Sequence, residues 1–291
     1  CKEARRPPYQ LIEDDTMTLH VAIDGKRFFR NTSGLGRYSR TLVAALTAAA
    51  AQGEELHLTL FKPAGDSPFE APPAASVDTI TAPDYLRGDL GSAIWRFAAL
   101  PRLLDKGDFN LFHGPSHVLP QRSRCPMVVT MLDLIFIRYP NYFRLWDRNY
   151  YRYIFRKSAH RADHIISISS ATKADLVNYF GVPEEKISVI HPAFDDIFVP
   201  QSAERLDQIR TRYRLPQTYL LYVGTIEPRK NILRTAQAFN GLIDAAAIPP
   251  DAEFLIVGSK GWFYDDILNG IRALKHRDRI RLMGPIYAED L

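Results

Sequence analysis

The sequence predicts an α/β protein with parallel sheets and helices on both faces, arranged as one full unit followed by a shorter one. Strand-like and helix-like stretches alternate from Met17 to about residue 190, which is the signature of a parallel sheet. The alternation pauses over 194–216 and restarts near 217. A length of 291 residues suits about two domains of roughly 100–200 residues each. A composition of 46% hydrophobic and 24% charged residues excludes a disordered, collagenous or coiled-coil chain.

Residues 1–16, CKEARRPPYQLIEDDT, are polar and non-periodic and read as a leader or disordered segment. LHVAID (19–24) is a buried strand, and RYSRTLVAALTAAAAQG (37–53) an Ala/Leu-rich helix closed by Gly53. Strand ELHLTLF (55–61), a Pro/Ala-rich loop over 62–76 and helix SAIWRFAALPRLLDK (92–106) follow. DFNLFH (108–113) and MVVTML (127–132) are strands, and a basic-aromatic helix occupies about 140–161. Strand HIISIS (164–169), helix ATKADLVNYFG (171–181) and strand KISVI (186–190) complete the first set.

An extended segment, a polar helix and a Pro stop fill the pause. The second set has strands TYLLYVG (218–224), EFLIVG (253–258) and RIRLMG (279–284), separated by helices over 230–246 and 261–275. Three strands make a marginal sheet. The expected organisation is therefore a first domain over 17–200, a linker over 201–216 and a partial second domain over 217–291.

In open parallel sheets, ligands bind beyond the carboxyl ends of the strands, often at helix N-termini. Gly34 and Gly36 follow the first strand just before a helix, where they serve either turn geometry or close approach to an anion. A third glycine and the acidic residue expected about 20 positions on are both missing, so a nicotinamide site is not expected. The loop GTIEPRKN sets Arg229 and Lys230 at a helix start, a pattern suited to a diphosphate. Gly258 and Gly261 in the next loop leave room for a base or ribose.

His113 and Asp133 stand at strand ends where substrate groups would meet. No Ser-His-Asp order, Walker loop or zinc spacing is present. Arg144, Arg148, Arg152 and Arg156 recur every four residues and line one face of a helix, while Trp146, Tyr150, Tyr153 and Ile154 fall on another. Those aromatics pack on the sheet, or else the helix meets anionic lipid. With a net charge of +4 and no recognition module, nucleic acid is not an expected partner. Cys1 and Cys125 alone make no disulfide framework, so a reducing compartment, the cytoplasm, is expected.

SGLGRYSR, VVTMLDLIFIRYP, HIISISSATKADLVNYFGVPEEKISVI and GTIEPRKNI together resemble the retaining glycosyltransferases of family 4. The nearest branch holds bacterial mannosyl- and rhamnosyl-type enzymes that build O-antigen and capsular or exopolysaccharides. The resemblance runs from Met17 to Leu291. It implies the GT-B fold, two Rossmann-like domains facing across a cleft, with the C-terminal one incomplete in this chain. It further implies a nucleotide-sugar donor, a saccharide or lipid-linked acceptor, and no metal or other cofactor.

By that likeness Thr225, Arg229 and Lys230 hold the diphosphate, Gly258 lies near the nucleoside, and Gly34 and Gly36 line the cleft. Asp133 and His113 are the candidate catalytic residues. The basic helix implies a cytoplasmic protein, peripheral on the inner face of the membrane. Three departures stand out. Leu132 replaces the His that often precedes Asp133, Thr225 replaces a common Arg, and no Glu-x7-Glu motif occurs before Leu291. They leave two alternatives open: a non-catalytic remnant that binds a membrane surface or a partner, and a sugar-nucleotide epimerase of the same fold.

Overall fold

The computed structural model of the chain describes residues 18–194, 198–286 and 290–291. The expectations for residues 1–16 and Met17 lie outside the described residues. The chain divides into two compact units between Ala193 and Phe194.

The first unit carries strands β1 (Leu19–Asp24), β2 (Leu56–Lys62), β3 (Val77–Thr81), β4 (Leu111–Gly114), β5 (Met127–Met131), β6 (His164–Ser167) and β7 (Ile187–Val189). All neighbours pair in parallel, in the order β3-β2-β1-β4-β5-β6-β7. Successive residues of β1 face opposite sides, and both sides are covered. Val21 and Ile23 pack with Phe28, Phe29 and Val43, whereas Ala22 packs with Phe61, Phe112 and Val129. This two-sided burial is why such strands read as nearly continuous apolar runs. Each fully buried Phe or Leu contributes roughly 1.5–3 kcal/mol.

The observed elements depart from the sequence-based reading in instructive places. VDTIT forms β3, an edge strand with an intermediate and exposed burial pattern, so hydrophobic periodicity did not reveal it. KRFFR forms a short helix, Lys26–Arg30, ahead of the Gly34–Ala51 helix. The stretch expected as one helix over 92–106 is two helices, Gly88–Ile94 and Leu100–Lys106, joined by a widened turn at Trp95–Ala99. Pro101 has no N–H to donate and is accommodated in the first turn of the second helix. The basic-aromatic helix spans Leu145–Arg161 and is preceded by short turns at Ile135–Arg138 and Pro140–Tyr142.

The second unit holds β8 (Tyr219–Val223), β9 (Glu253–Val257) and β10 (Ile280–Gly284), parallel in the order β10-β9-β8. The Ile232–Asp244 and Tyr264–Arg272 helices cover it, and Phe239, Phe254, Ile256, Ile267 and Ile271 form its core. The polar Ala203–Tyr213 helix precedes this sheet, capped by the Ser202 hydroxyl. Its Arg205 and Arg212 both grip Asp290, at 2.6 and 2.8 Å.

Candidate functional site

The strand order of the first sheet reverses between β1 and β4, and ligands of open parallel sheets gather beyond the carboxyl ends at such a reversal. Asp24 closes β1. Its Oδ1 accepts the Lys26 N–H at 3.0 Å, and its Oδ2 pairs with Arg96 at 2.6 Å, both side chains being largely buried. The loop that follows is fixed by Asn31, whose Oδ1 accepts from the Ser33 N–H, the Ser33 hydroxyl and the Gly36 N–H.

Gly36 is a packing requirement, because a Cβ there would lie 1.8 Å from the Asn31 carbonyl oxygen. Its N–H is already bound, to Asn31 Oδ1 and to the Ser33 carbonyl, each at 3.0 Å. At Gly34 a Cβ would meet open space.

At the ends of β4 and β5 lies a buried polar group that periodicity does not register. His113 Nε2 shares a hydrogen bond with Thr130 Oγ1 at 2.9 Å, and the Tyr38 hydroxyl reaches the same oxygen at 3.2 Å. Burial pushes the His113 imidazole down to about 4, so it is neutral near pH 7. The Ser116 hydroxyl oxygen is buried without a hydrogen-bond partner among the described residues.

Asp133 is exposed two residues beyond β5, its Oδ1 accepting the Ile135 N–H at 3.4 Å. Leu132 before it is buried. His117, unremarked in the sequence, has a ring nitrogen 3.2 Å from the Leu132 amide and 3.4 Å from that of Asp133. The only local signal was a second histidine in FHGPSHVLP, at the same strand end as His113.

The Leu145–Arg161 helix turns Ile154, Phe155, Ser158 and Ala159 inward. Trp146 is 88% exposed, and Tyr150 and Tyr153 are more than half exposed. The three aromatics therefore do not pack on the sheet, whereas Ile154 beside them is buried in the core. Arg144, Arg152 and Arg156 are exposed as well, Arg148 partly so. A shallow depression of about 570 Å³ runs along this face, lined by Arg152, Tyr153, Arg156, Lys157 and His160 among others. Among the described residues no helix is long and apolar enough to cross a membrane.

In the second unit the loops after β8 and β9 are zipped together. Ile226 donates to the Ser259 carbonyl at 2.9 Å, and Gly261 donates to that of Ile226 at 3.0 Å. Gly258 adopts φ +152°, and a Cβ there would strike the Gly224 carbonyl oxygen at 1.8 Å. The Thr225 carbonyl accepts the Tyr222 hydroxyl at 3.0 Å.

Pro228–Lys230 form a single tight turn, and Asn231 at φ +59° leads into the Ile232–Asp244 helix. That helix has no side-chain cap and no acidic residue in its first turn. Arg229 pairs with Glu227 at 2.6 Å, whereas exposed Lys230 makes no ion pair among the described residues. The two cations that look equivalent in sequence therefore differ: one is compensated and one is not. No cluster of three or more His, Cys, Asp or Glu among the described residues is placed to hold a metal.

Comparison with known proteins agrees with this architecture. The chain is 27% identical over 284 residues to O-antigen chain mannosyltransferase B of Escherichia coli, covering 89% of this chain and 69% of that protein. It is 25% identical over 216 residues to O-antigen chain mannosyltransferase RfbU of Salmonella typhimurium, covering 73% and 56%. A third likeness, to serotype-specific mannosyltransferase WbdA of Escherichia coli, is 32% over 102 residues but spans only 12% of that protein.

Among solved structures, Anabaena HepE in complex with UDP and glucose superposes with a TM-score of 0.59 at 17% identity, over 94% of this chain and 70% of that one. WaaG, a glycosyltransferase involved in lipopolysaccharide biosynthesis, gives 0.65 at 13% identity, over 94% and 71%. At such identities these likenesses show the fold, the GT-B fold of glycosyltransferases. The Glycosyltransferase Family 4 profile matches residues 32–197, more than half of the sequence. On that match the chain belongs to Glycosyltransferase Family 4.

Proposed function

We infer that the chain takes part in transfer of a mannose- or rhamnose-like hexose from a nucleoside-diphosphate sugar to a saccharide or lipid-linked acceptor, in the assembly of a cell-surface polysaccharide. On this reading residues 17–200 serve the acceptor side, 201–216 link, and 217–291 bind the nucleotide-sugar. The observation that carries it is the turn Pro228–Lys230. An uncapped helix N-terminus with an uncompensated lysine beside it is a site for a diphosphate. The mannosyltransferase relatives supply the sugar class, and the UDP bound to HepE supports a nucleotide donor.

The chemistry is a substitution at the anomeric carbon with retention. The bond from that carbon to the diphosphate oxygen breaks, and the acceptor hydroxyl oxygen bonds to the carbon on the same face. The hydroxyl proton passes to the departing diphosphate. Negative charge grows on that leaving group, so Lys230 and the helix N–H groups stabilise the transition state more than the bound donor. Arg229, held by Glu227, contributes less net charge. Thr225 and Gly258 shape the floor beside the phosphates and nucleoside. Gly34 and Asp133 serve the acceptor side, as does His113, whose ring is hydrogen-bonded to Thr130.

Titration of GDP and UDP against the chain and its Lys230→Ala variant tests this reading. The variant should bind about tenfold more weakly, a loss of roughly 1.4 kcal/mol. Equal affinity would remove Lys230 from the site and the reading with it.

The exposed Trp146, Tyr150 and Tyr153 beside Arg152 and Arg156 favour a second, compatible reading: this helix rests on an anionic bilayer surface. Co-sedimentation with phosphatidylglycerol vesicles, set against phosphatidylcholine vesicles, tests it. Binding to the anionic vesicles should vanish in an Arg148, Arg152, Arg156 to Gln triple variant. Binding that survives in the variant would overturn this reading.

A further inference from the structure

His117 adopts the left-handed backbone region, φ +62°, which is uncommon for a residue with a side chain. The position is over-determined by its neighbours. Its N–H donates to the Thr130 carbonyl at 2.9 Å. Its imidazole lies flat on Phe155, with ring centroids 4.3 Å apart and planes 5° from parallel. Its Nε2 accepts from the amides of Leu132 at 3.2 Å and Asp133 at 3.4 Å. One residue therefore binds the last turn of β5 at three points. Strained backbone held this firmly is characteristic of functional sites.

The turn is held from other directions too. The Thr172 hydroxyl donates to the Leu132 carbonyl at 3.3 Å, so both backbone groups of Leu132 are engaged. Phe136, three residues past Asp133, meets Phe155 edge to face at 5.3 Å. Phe155 thus supports both the histidine on one side and the segment following Asp133 on the other. Nearby, the Ser158 hydroxyl accepts the Leu119 amide at 3.0 Å and ties the His117 loop to the Leu145–Arg161 helix.

We propose that His117 is a positioning residue for Asp133, its Nε2 fixing the Leu132 and Asp133 amides so that the Asp133 carboxylate stands at a set place beyond β5. Acceptance of two N–H groups requires Nε2 to be unprotonated, with the ring proton on Nδ1. Burial first, and then the charge of Arg27, push this histidine down to about 3, which keeps the acceptor intact across the physiological range. The link to catalysis rests on the transferase reading above, whereas the latch itself does not.

Two variants of the full chain separate the parts. His117→Phe keeps an aromatic ring for Phe155 and removes the acceptor, and His117→Gln restores an acceptor without the ring. Both keep a Cβ at the same strained position, so loss in His117→Phe with recovery in His117→Gln reads the acceptor rather than the ring. Amide exchange by NMR should be about tenfold faster at Leu132 and Asp133 in His117→Phe, with the middle of β5 unchanged and protection regained in His117→Gln.

Transfer from GDP-mannose or UDP-mannose to a mannose oligosaccharide should show kcat lowered by about tenfold or more in His117→Phe. The donor KM should hold within about twofold, and His117→Gln should recover most of kcat. Unchanged exchange in His117→Phe would overturn the latch. Faster exchange with unchanged kcat would overturn the positioning role. A wild-type chain that transfers no hexose counts against the transferase reading alone, and exchange then decides the latch.

Discussion

His113 Nε2 lies 2.9 Å from Thr130 Oγ1, and both side chains are buried at the carboxyl end of the first sheet. Burial holds His113 at about 4 and His117 at about 3, against about 6.5 in an unfolded chain. Between those values the unfolded chain binds protons that the folded chain refuses. The stability present above about pH 6.5 is therefore lost progressively as pH falls through this window. At 1.36 kcal/mol per pH unit, each histidine removes about 2 kcal/mol between pH 6.5 and 5. Urea midpoints at pH 7 and pH 5 check this. The drop should shrink by about half in His113→Gln, and an unchanged drop would show that other groups set the acid sensitivity.

Gly34 and Gly36 sit two residues apart in one helix turn, yet they should respond oppositely to the same substitution. A Cβ at Gly36 meets the Asn31 carbonyl oxygen at 1.8 Å, a backbone atom that cannot swing aside. Gly36→Ala must move the Asn31 loop and should cost about 1–3 kcal/mol. At Gly34 nothing lies within 4 Å, so alanine reduces unfolded-state entropy without a clash and should gain about 0.5 kcal/mol. Thermal midpoints of the two variants decide it, and a destabilised Gly34→Ala would refute the distinction.

The residues legible in sequence are those whose surroundings are local or symmetric. β1 was readable because Val21, Ala22 and Ile23 are all buried, and a strand covered on both faces is apolar throughout. β3 was not, because VDTIT has little to bury at a sheet edge. The basic helix was readable as a helix but not in orientation. Periodicity groups residues onto faces without saying which face turns inward, and the inward one carries Phe155 and Ser158 rather than Trp146. The place of Lys230 at a helix start was legible because its helix and turn are adjacent in the chain. His117 was not, because its partners Leu132, Asp133 and Phe155 arrive from other elements.

Arg27, also unread in the sequence, is partly buried beside the Asp24–Arg96 pair. Asp24 is already claimed by Arg96 at 2.6 Å, and Arg27 makes no ion pair or side-chain hydrogen bond among the described residues. Burial and then the Arg96 charge lower its affinity for its proton, outweighing the attraction of Asp24. A desolvated charge without a close partner costs stability. Arg27→Met keeps the apolar stem and removes the charge, so the urea midpoint should rise by the equivalent of about 1 kcal/mol. A lower midpoint would mean that Asp24 attracts Arg27 more strongly than burial penalises it.

TYLLYVG reads as a strand, and among the described residues β8 lies at the edge of the second sheet with Leu220, Leu221 and Val223 about half exposed. An edge strand offers unpaired N–H and C=O groups, and an apolar one adds a reason for another chain to pair with them. β8 carries no charge and no proline to oppose this. The chain should therefore self-associate through β8, and Leu221→Lys should reduce light scattering at high concentration because lysine at an edge resists strand addition. Since Leu221 lies outside the buried core of this unit, the unfolding midpoint should hold within about 0.5 kcal/mol. Scattering that persists in Leu221→Lys at an unchanged midpoint would place self-association elsewhere, and the exposed aromatic face of the Leu145–Arg161 helix is the next surface to alter, by Trp146→Gln.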